Sequence, residues 1–172
     1  VASGFFNTYG RNKRSIVVDT ATPEGQVVAR RLIERADILI ENFKTGGLAK
    51  YGLDYESLRK VNPRLIYCSI TGFGHTGPYA AYAGYDFIVQ GMSGLMSITG
   101  EKDGQPMKAG VAVADLFTGI YSVIGILAAL RHAEATGKGQ HIDMALLDSQ
   151  AGVLANQNMN YLATGISPKR IG

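Results

Sequence analysis

Short apolar segments separated by helical segments are the feature of this sequence that most constrains its fold. The first three apolar segments occupy residues 14–20, 37–43 and 64–70, and isoleucine and valine are frequent in them. Between them lie two segments typical of helices, residues 23–36 and 55–61. Strands that alternate with helices are usually parallel, so this order predicts a parallel sheet with flanking helices.

The second half of the chain continues the same pattern. A glycine-rich loop follows the third apolar segment, and an alternating segment at residues 141–146 predicts one more strand. Helices are expected over residues 85–96, 116–135 and 148–162. The sequence therefore predicts a single α/β domain.

Composition narrows the classes of function. The 172 residues carry 17 Lys and Arg against 14 Asp and Glu, a net charge of +3 without a basic stripe, so nucleic acid is not an expected partner. Cys68 is the only cysteine and lies in an apolar segment, which favours a buried free thiol and a reducing cytoplasm. The uncharged stretch 116–130 is short for a membrane span, so we expect a core helix there.

Two familiar kinds of site are disfavoured. Gly72, Gly74 and Gly77 have the spacing of a dinucleotide-binding loop, but Pro78 and more loop follow where that site needs a helix. The three histidines share no metal-ligand spacing, so no metal site is expected. Carboxylates are left as the main candidates for chemistry.

Asp115 is the most unusual carboxylate because apolar residues flank it on both sides, where an unsatisfied charge is costly. It is either an N-cap that accepts backbone N–H bonds or a nucleophile or acid/base at the start of a helix. Asp86 begins another predicted helix, and capping is its expected role. Asn42 and Phe43 end a predicted strand, where ligands bind in open α/β sheets; Phe43 either packs there or stacks on a ring.

Several motifs in a fixed order carry a resemblance to a known family. They are Asn-Lys-Arg-Ser-Ile at 12–16, Ile-Glu-Asn-Phe at 40–43, Asn-Pro-Arg-Leu-Ile-Tyr at 62–67, Ile-Thr-Gly-Phe-Gly at 70–74, Ala-Gly-Tyr-Asp at 83–86 and Gly-Val-Ala-Val-Ala-Asp at 110–115. The sequence resembles the family III CoA transferases, which include formyl-CoA transferase, succinyl-CoA-dependent dicarboxylate transferases and the related α-methylacyl-CoA racemases.

The resemblance implies a Rossmann-like, CoA-binding large domain, of which residues 1–172 form an internal part within a longer chain. It also implies an interlocked homodimer that acts on acyl-CoA and a small carboxylic acid, with coenzyme A as substrate and no covalently bound cofactor. Asp115 matches the family's catalytic aspartate. It would attack the thioester of an acyl-CoA donor, pass through an anhydride to an aspartyl-CoA thioester, and hand CoA to the acceptor acid.

The resemblance also carries CoA-contacting positions over to this chain. They are Val18, Asp19, Thr20, Ala21, Asn42, Phe43, Lys44, Lys50, Ala83, Gly84, Tyr85 and Asp86. Ala21 stands where the family commonly has lysine, which removes one phosphate contact. Lys50 stands where the family often has arginine, which keeps the charge but loses the bidentate fork.

Tyr85 distinguishes between relatives. The racemases place a histidine acid/base at this position, and a phenol is a poor base near neutral pH, so the transferase interpretation is favoured. An acyl-CoA racemase or epimerase is the alternative enzyme. A non-catalytic CoA-binding or assembly segment is the alternative from another class, and follows if the physical chain ends at residue 172.

Overall fold

The computed structural model describes residues 4–171 and has the α/β architecture expected from the sequence. Its helices are α1 (Gly4–Tyr9), α2 (Pro23–Ile33), α3 (Tyr55–Leu58), α4 (Asp86–Met92), α5 (Val113–Thr136), α6 (Leu146–Val153) and α7 (Asn156–Thr164). Its strands are β1 (Ile38–Glu41), β2 (Ile66–Thr71) and β3 (His141–Ala145). Residues 1–3 and 172, which the predicted domain includes, lie outside the described residues.

The described sheet has the order β1-β2-β3, and both neighbouring pairs are parallel. Tyr67 in β2 lies opposite Leu39 in β1 and His141 in β3. The central strand is buried at its first four positions, as expected for a parallel strand covered on both faces. The predicted parallel sheet with flanking helices is confirmed.

Alternate residues of β2 face two different hydrophobic layers. Tyr67 packs with residues from α2, α3 and the segment between β1 and α3, whereas Ile66 and Cys68 pack against Ile126 and Ala129 of α5. Cys68 is fully buried, which confirms the expected buried thiol, and burial is the main cause that raises its pKa. The two layers fix β2 between helices and so fix where its carboxyl end lies.

Local sequence signals set the ends of several helices. Thr22 caps α2 by accepting a hydrogen bond from the Gly25 N–H at 3.1 Å, with Pro23 at the first helical position, as predicted. The side-chain amide of Asn62 donates to carbonyls at the other end of the same helix. Gly137 ends α5 in the left-handed conformation, where glycine has no Cβ penalty.

The predicted strand at residues 14–20 is wrong, because this segment has no ladder partner among the described residues and is not part of the sheet. Ile16 is 65% exposed and Val17 is 98% exposed. A β-branched segment becomes a strand only where it can pair with a sheet edge and pack one face against the core. Propensity alone does not provide these partners.

The helices predicted over residues 23–36 and 55–61 end early, at Ile33 and Leu58, and two further predicted helices are cut short or divided. The helix predicted over residues 85–96 stops at Met92, and Gly94 follows with a φ of +95° that a helix does not permit. The helix predicted over residues 148–162 is divided into α6 and α7 by a break at Ala155, which also has a positive φ. No proline lies at either break, so the sequence pattern gives little indication that the helix ends there.

The long helix α5 presents two different faces. Small side chains line the face that packs on the sheet and on α4 and α6, which lets the helix approach closely. Ile120, Val123, Ile124 and Leu127 are exposed on the opposite side. Within the described residues, α5 is the one helix whose length and hydropathy would also suit a membrane span. The core-helix prediction therefore holds for one face only.

Candidate active site

A cavity of about 560 Å³ lies at the carboxyl ends of β1 and β2. This is the edge of a parallel sheet where α/β proteins bind ligands. Its lining comes from the end of β1 and the loop after it, from the end of β2, from the segment before α4, and from the first turns of α5. The walls therefore bring together elements that are far apart in the sequence.

Asp115 projects into this cavity from the third position of α5. Ala112 is the N-cap, so the interpretation of Asp115 as the N-cap of this helix is wrong. Within the described residues, its carboxylate accepts no hydrogen bond. Partial burial, and after it repulsion from Asp86, raises the pKa of Asp115, so its carboxylate is more basic than an ordinary aspartate.

Asp86 caps a helix, but not the helix that it begins. Its Oδ1 accepts hydrogen bonds from the backbone N–H groups of Ala114, at 2.8 Å, and Asp115, at 3.4 Å. Its Oδ2 accepts from the side-chain amide of Gln90 at 2.6 Å. The expected capping of its own helix is therefore wrong, because Tyr85 is the N-cap of α4 and Asp86 caps the start of α5 instead.

Sequence reasoning missed Gln90, which is fully buried at the centre of this arrangement. Besides its bond to Asp86, its amide nitrogen donates to the carbonyl of Val111 at 3.3 Å. Its amide oxygen accepts from the N–H of Ala109 at 2.8 Å. The available signal was the spacing of Asp86 and Gln90, since residues four apart on a helix are neighbours.

Six of the twelve residues expected to contact CoA line the cavity together with Asp115. They are Asn42, Phe43, Lys44, Ala83, Gly84 and Tyr85. Phe43 is 56% exposed and Tyr85 is 70% exposed, so both rings are available to a ligand. Thr45 also lines the cavity, and its buried hydroxyl has no hydrogen-bond partner among the described residues.

The other six expected contacts do not line this cavity. Val18, Asp19, Thr20 and Ala21 lie in the segment before α2, where the Asp19 carboxylate accepts from the Ala21 N–H. The Lys50 ammonium lies 4.7 Å from the centre of the Tyr51 ring. Asp86 forms the hydrogen bonds just described. Their contact with CoA stays a prediction.

A second cavity of about 320 Å³ adjoins the first and shares Glu41 and Lys44 with it. Here the centres of the His75 and His141 rings lie 5.3 Å apart, although their spacing in the sequence did not indicate that they would be close. The Ser69 hydroxyl lies 2.9 Å from Nε2 of His141. Burial and the neighbouring His75 lower the pKa of His141. No group of three or more metal-ligating side chains occurs within residues 4–171.

The fold and site define an α/β domain with a carboxylate at the start of a helix, facing a ligand cavity at the carboxyl edge of a parallel sheet. The sequence matches the model of CoA-transferase family III over residues 1–172. The chain belongs to this family.

Named relatives and a solved structure agree with this membership. The chain is 70% identical to a succinate–glutarate CoA-transferase from Agrobacterium fabrum, over all of this chain and 43% of that protein. It is 45% identical to a succinyl-CoA:glutarate CoA-transferase from Mus musculus, over 99% of this chain and 39% of that protein. A crystal structure of a CAIB/BAIF family protein from Brucella suis superposes with a TM-score of 0.91 at 68% identity, over 93% of this chain and 42% of that chain. The chain thus spans less than half the length of these relatives.

Proposed function

We propose that this chain supplies the CoA-binding cavity and the nucleophile of an enzyme that moves CoA from an acyl-CoA donor to a carboxylic acid. The observation that carries the proposal is the position of Asp115. Its carboxylate faces the same cavity as Asn42, Phe43 and Lys44 on one side and Tyr85 on the other. A thioester bound among these residues would lie beside the carboxylate.

The reaction that we propose uses Asp115 as a covalent carrier. Its carboxylate attacks the thioester carbonyl, the carbon–sulfur bond breaks, and an aspartyl anhydride and CoA thiolate form. The thiolate then attacks the aspartyl carbonyl and releases the donor acid, which leaves an aspartyl-CoA thioester. The acceptor carboxylate then attacks the aspartyl-CoA thioester and releases CoA thiolate, which leaves a second anhydride. The thiolate attacks the acceptor carbonyl of this anhydride, so CoA leaves on the new acid and the Asp115 carboxylate is restored without net proton transfer.

The environment of Asp115 supports this role. A carboxylate that accepts no hydrogen bond, and whose pKa is raised, is more basic and so more nucleophilic than an ordinary aspartate, although Asp115 is open to solvent. The N-terminus of α5 favours negative charge, which is the charge that a carboxylate nucleophile carries. These two influences suit a nucleophile that is regenerated in every cycle.

A dicarboxylic acid is the substrate class that we propose for the acceptor. The relatives from Agrobacterium fabrum and Mus musculus are named for succinate or succinyl-CoA and glutarate. The racemase alternative needs an acid/base pair at the substrate α-carbon, and Tyr85 occupies the position that would supply one member of it. The interlocked homodimer and the cytoplasmic location stay predictions.

Trapping tests the covalent route. The full-length protein is incubated with succinyl-CoA and then with hydroxylamine, and the peptide that contains Asp115 is examined by mass spectrometry. We expect a hydroxamate on Asp115, because hydroxylamine cleaves both the anhydride and the aspartyl thioester. Turnover of acyl-CoA without this label, together with deuterium exchange at the α-carbon, would instead support the racemase alternative.

Lys44 gives a second test, directed at CoA binding. Lys44 lines the cavity and carries a positive charge, so a charge-assisted contact with CoA phosphate is available. We expect Lys44→Ala to weaken CoA binding about tenfold at low salt, and the difference from wild type to shrink as salt rises. Lys102→Ala, in the exposed loop before α5, is the matched control. Equal affinities for both variants at low salt would remove Lys44 from the CoA site.

A further inference from the structure

The start of α5 lacks a capping side chain of its own. Ala112 occupies the N-cap position, and an alanine cannot accept the backbone N–H bonds that a helix leaves unpaired in its first turn. Asp86 accepts two of them, from Ala114 and Asp115, although it belongs to α4. The position of the Asp115 backbone therefore depends on a side chain from another helix.

The hydrogen bonds around Asp86 fix the orientation of its neighbour Gln90. Gln90 must present its amide oxygen to the N–H of Ala109 and therefore its NH₂ group to Asp86 and Val111. Both oxygens of Asp86 then accept hydrogen bonds from these donors. Because Gln90 is fully buried, a wrong orientation of its amide would leave polar groups unpaired inside the protein.

We propose that Asp86 and Gln90 are positioning residues that form a latch on the start of α5 and set both the orientation and the reactivity of the Asp115 carboxylate. The inference rests on the proposed function for its kinetic part. In this assignment the Asp86 side chain acts on Asp115 rather than on CoA.

The latch has two separable effects. It holds the first turn of α5 through the hydrogen bonds to Asp86, which orients the nucleophile. It also takes up backbone donors near Asp115 and places a second negative charge beside it, which keeps the Asp115 carboxylate basic. Other charged or titratable groups lie in the cavity wall or on the elements packed against α5, namely Glu41, Lys44, Tyr67, Cys68, Tyr82, Tyr85, His141, Asp143 and Asp148.

Two variants of the full-length protein distinguish the two effects. The measurement is the rate of hydroxamate formation on Asp115, from succinyl-CoA and hydroxylamine, as a function of pH. Asp86→Asn removes the charge but keeps an oxygen for the α5 N–H groups, so the acid limb of this pH profile should move to lower pH. Gln90→Met keeps the charge of Asp86 but removes the hydrogen bond that Gln90 donates to it. The rate should therefore fall by about 10- to 100-fold, with the acid limb of the profile at the same pH. Asp103→Asn, in an exposed loop, is the control and should change neither.

A titration that needs no turnover keeps this test separate from that of the proposed function. The pKa of Asp115 is followed by carboxyl NMR in wild type and in Asp86→Asn, and should be lower in the variant. An unchanged pKa overturns the electrostatic part, and an unchanged rate in Gln90→Met overturns the positioning part. If Asp86→Asn does not fold, Asp86→Glu should keep the acid limb and lower the rate, and a wild-type rate in it overturns the latch.

Discussion

Replacing Asp115 with asparagine is expected to lower the rate of CoA transfer by about 10⁴-fold or more, because the variant loses the only group proposed to carry the acyl and CoA moieties. Asparagine has nearly the same volume, and the Ala114 and Asp115 N–H groups that bond to Asp86 belong to the backbone. The start of α5 should therefore keep its place, and CoA should still bind.

Transfer of CoA from succinyl-CoA to glutarate is the measurement, with CoA affinity measured in parallel. The matched control is Asp103→Asn, an exposed aspartate in the loop before α5, which should retain wild-type turnover. Asp115→Ala should fall as far as Asp115→Asn. Turnover within tenfold of wild type in both Asp115 variants would contradict the covalent mechanism.

The stability of the Asp115 variant should separate a chemical effect from a structural one. The pKa of Asp115 is raised in the folded protein, so the folded state binds this proton more tightly than the unfolded state does. The contribution of this group to stability is therefore greatest below the ordinary carboxyl pKa and falls as pH rises through the raised pKa. Above the raised pKa the ionised group opposes folding, so in that pH range Asp115→Asn should be at least as stable as wild type in a denaturant titration.

Much of the fold was predictable because its main signals are local. Pro23 after Thr22 predicted the start of α2, and the apolar segments around Ile38 and Ile66 predicted two of the parallel strands. The failure at Val17 has a non-local cause, since only a neighbouring strand and a covering layer would have made that segment part of the sheet.

The candidate site was predictable in part for the same reason. Motifs identified Asp115, and the carboxyl ends of strands indicated where Phe43 would meet a ligand. The bond from Asp86 to the backbone of Ala114 joins residues 28 apart and depends on how α4 packs against α5. The proximity of the histidine rings in the second cavity likewise depends on the register of β2 and β3. No periodicity in the sequence reports such pairings.

A close contact between two glycines connects the sheet to the latch. A Cβ on Gly72, just after β2, would lie 2.4 Å from the Gly84 Cα and 2.5 Å from its nitrogen. A Cβ on Gly84 would in turn lie 2.5 Å from the Gly72 Cα. Both neighbours are backbone atoms, so no side chain can rotate away to make room, and the segment that leads into Tyr85 and Asp86 would have to move.

Gly72→Ala is therefore expected to destabilise the full-length protein by about 3 kcal/mol, the upper end of the usual cost of overpacking, and to lower kcat/KM for CoA transfer by 10-fold or more as Asp86 moves away from α5. Denaturant titration and transfer kinetics measure the two effects. Gly110→Ala is the matched control, because its added Cβ meets no atom within 4 Å. If the two variants match in stability and kcat/KM, the contact between Gly72 and Gly84 does not hold Asp86 in place, and the latch must be supported through Gln90 alone.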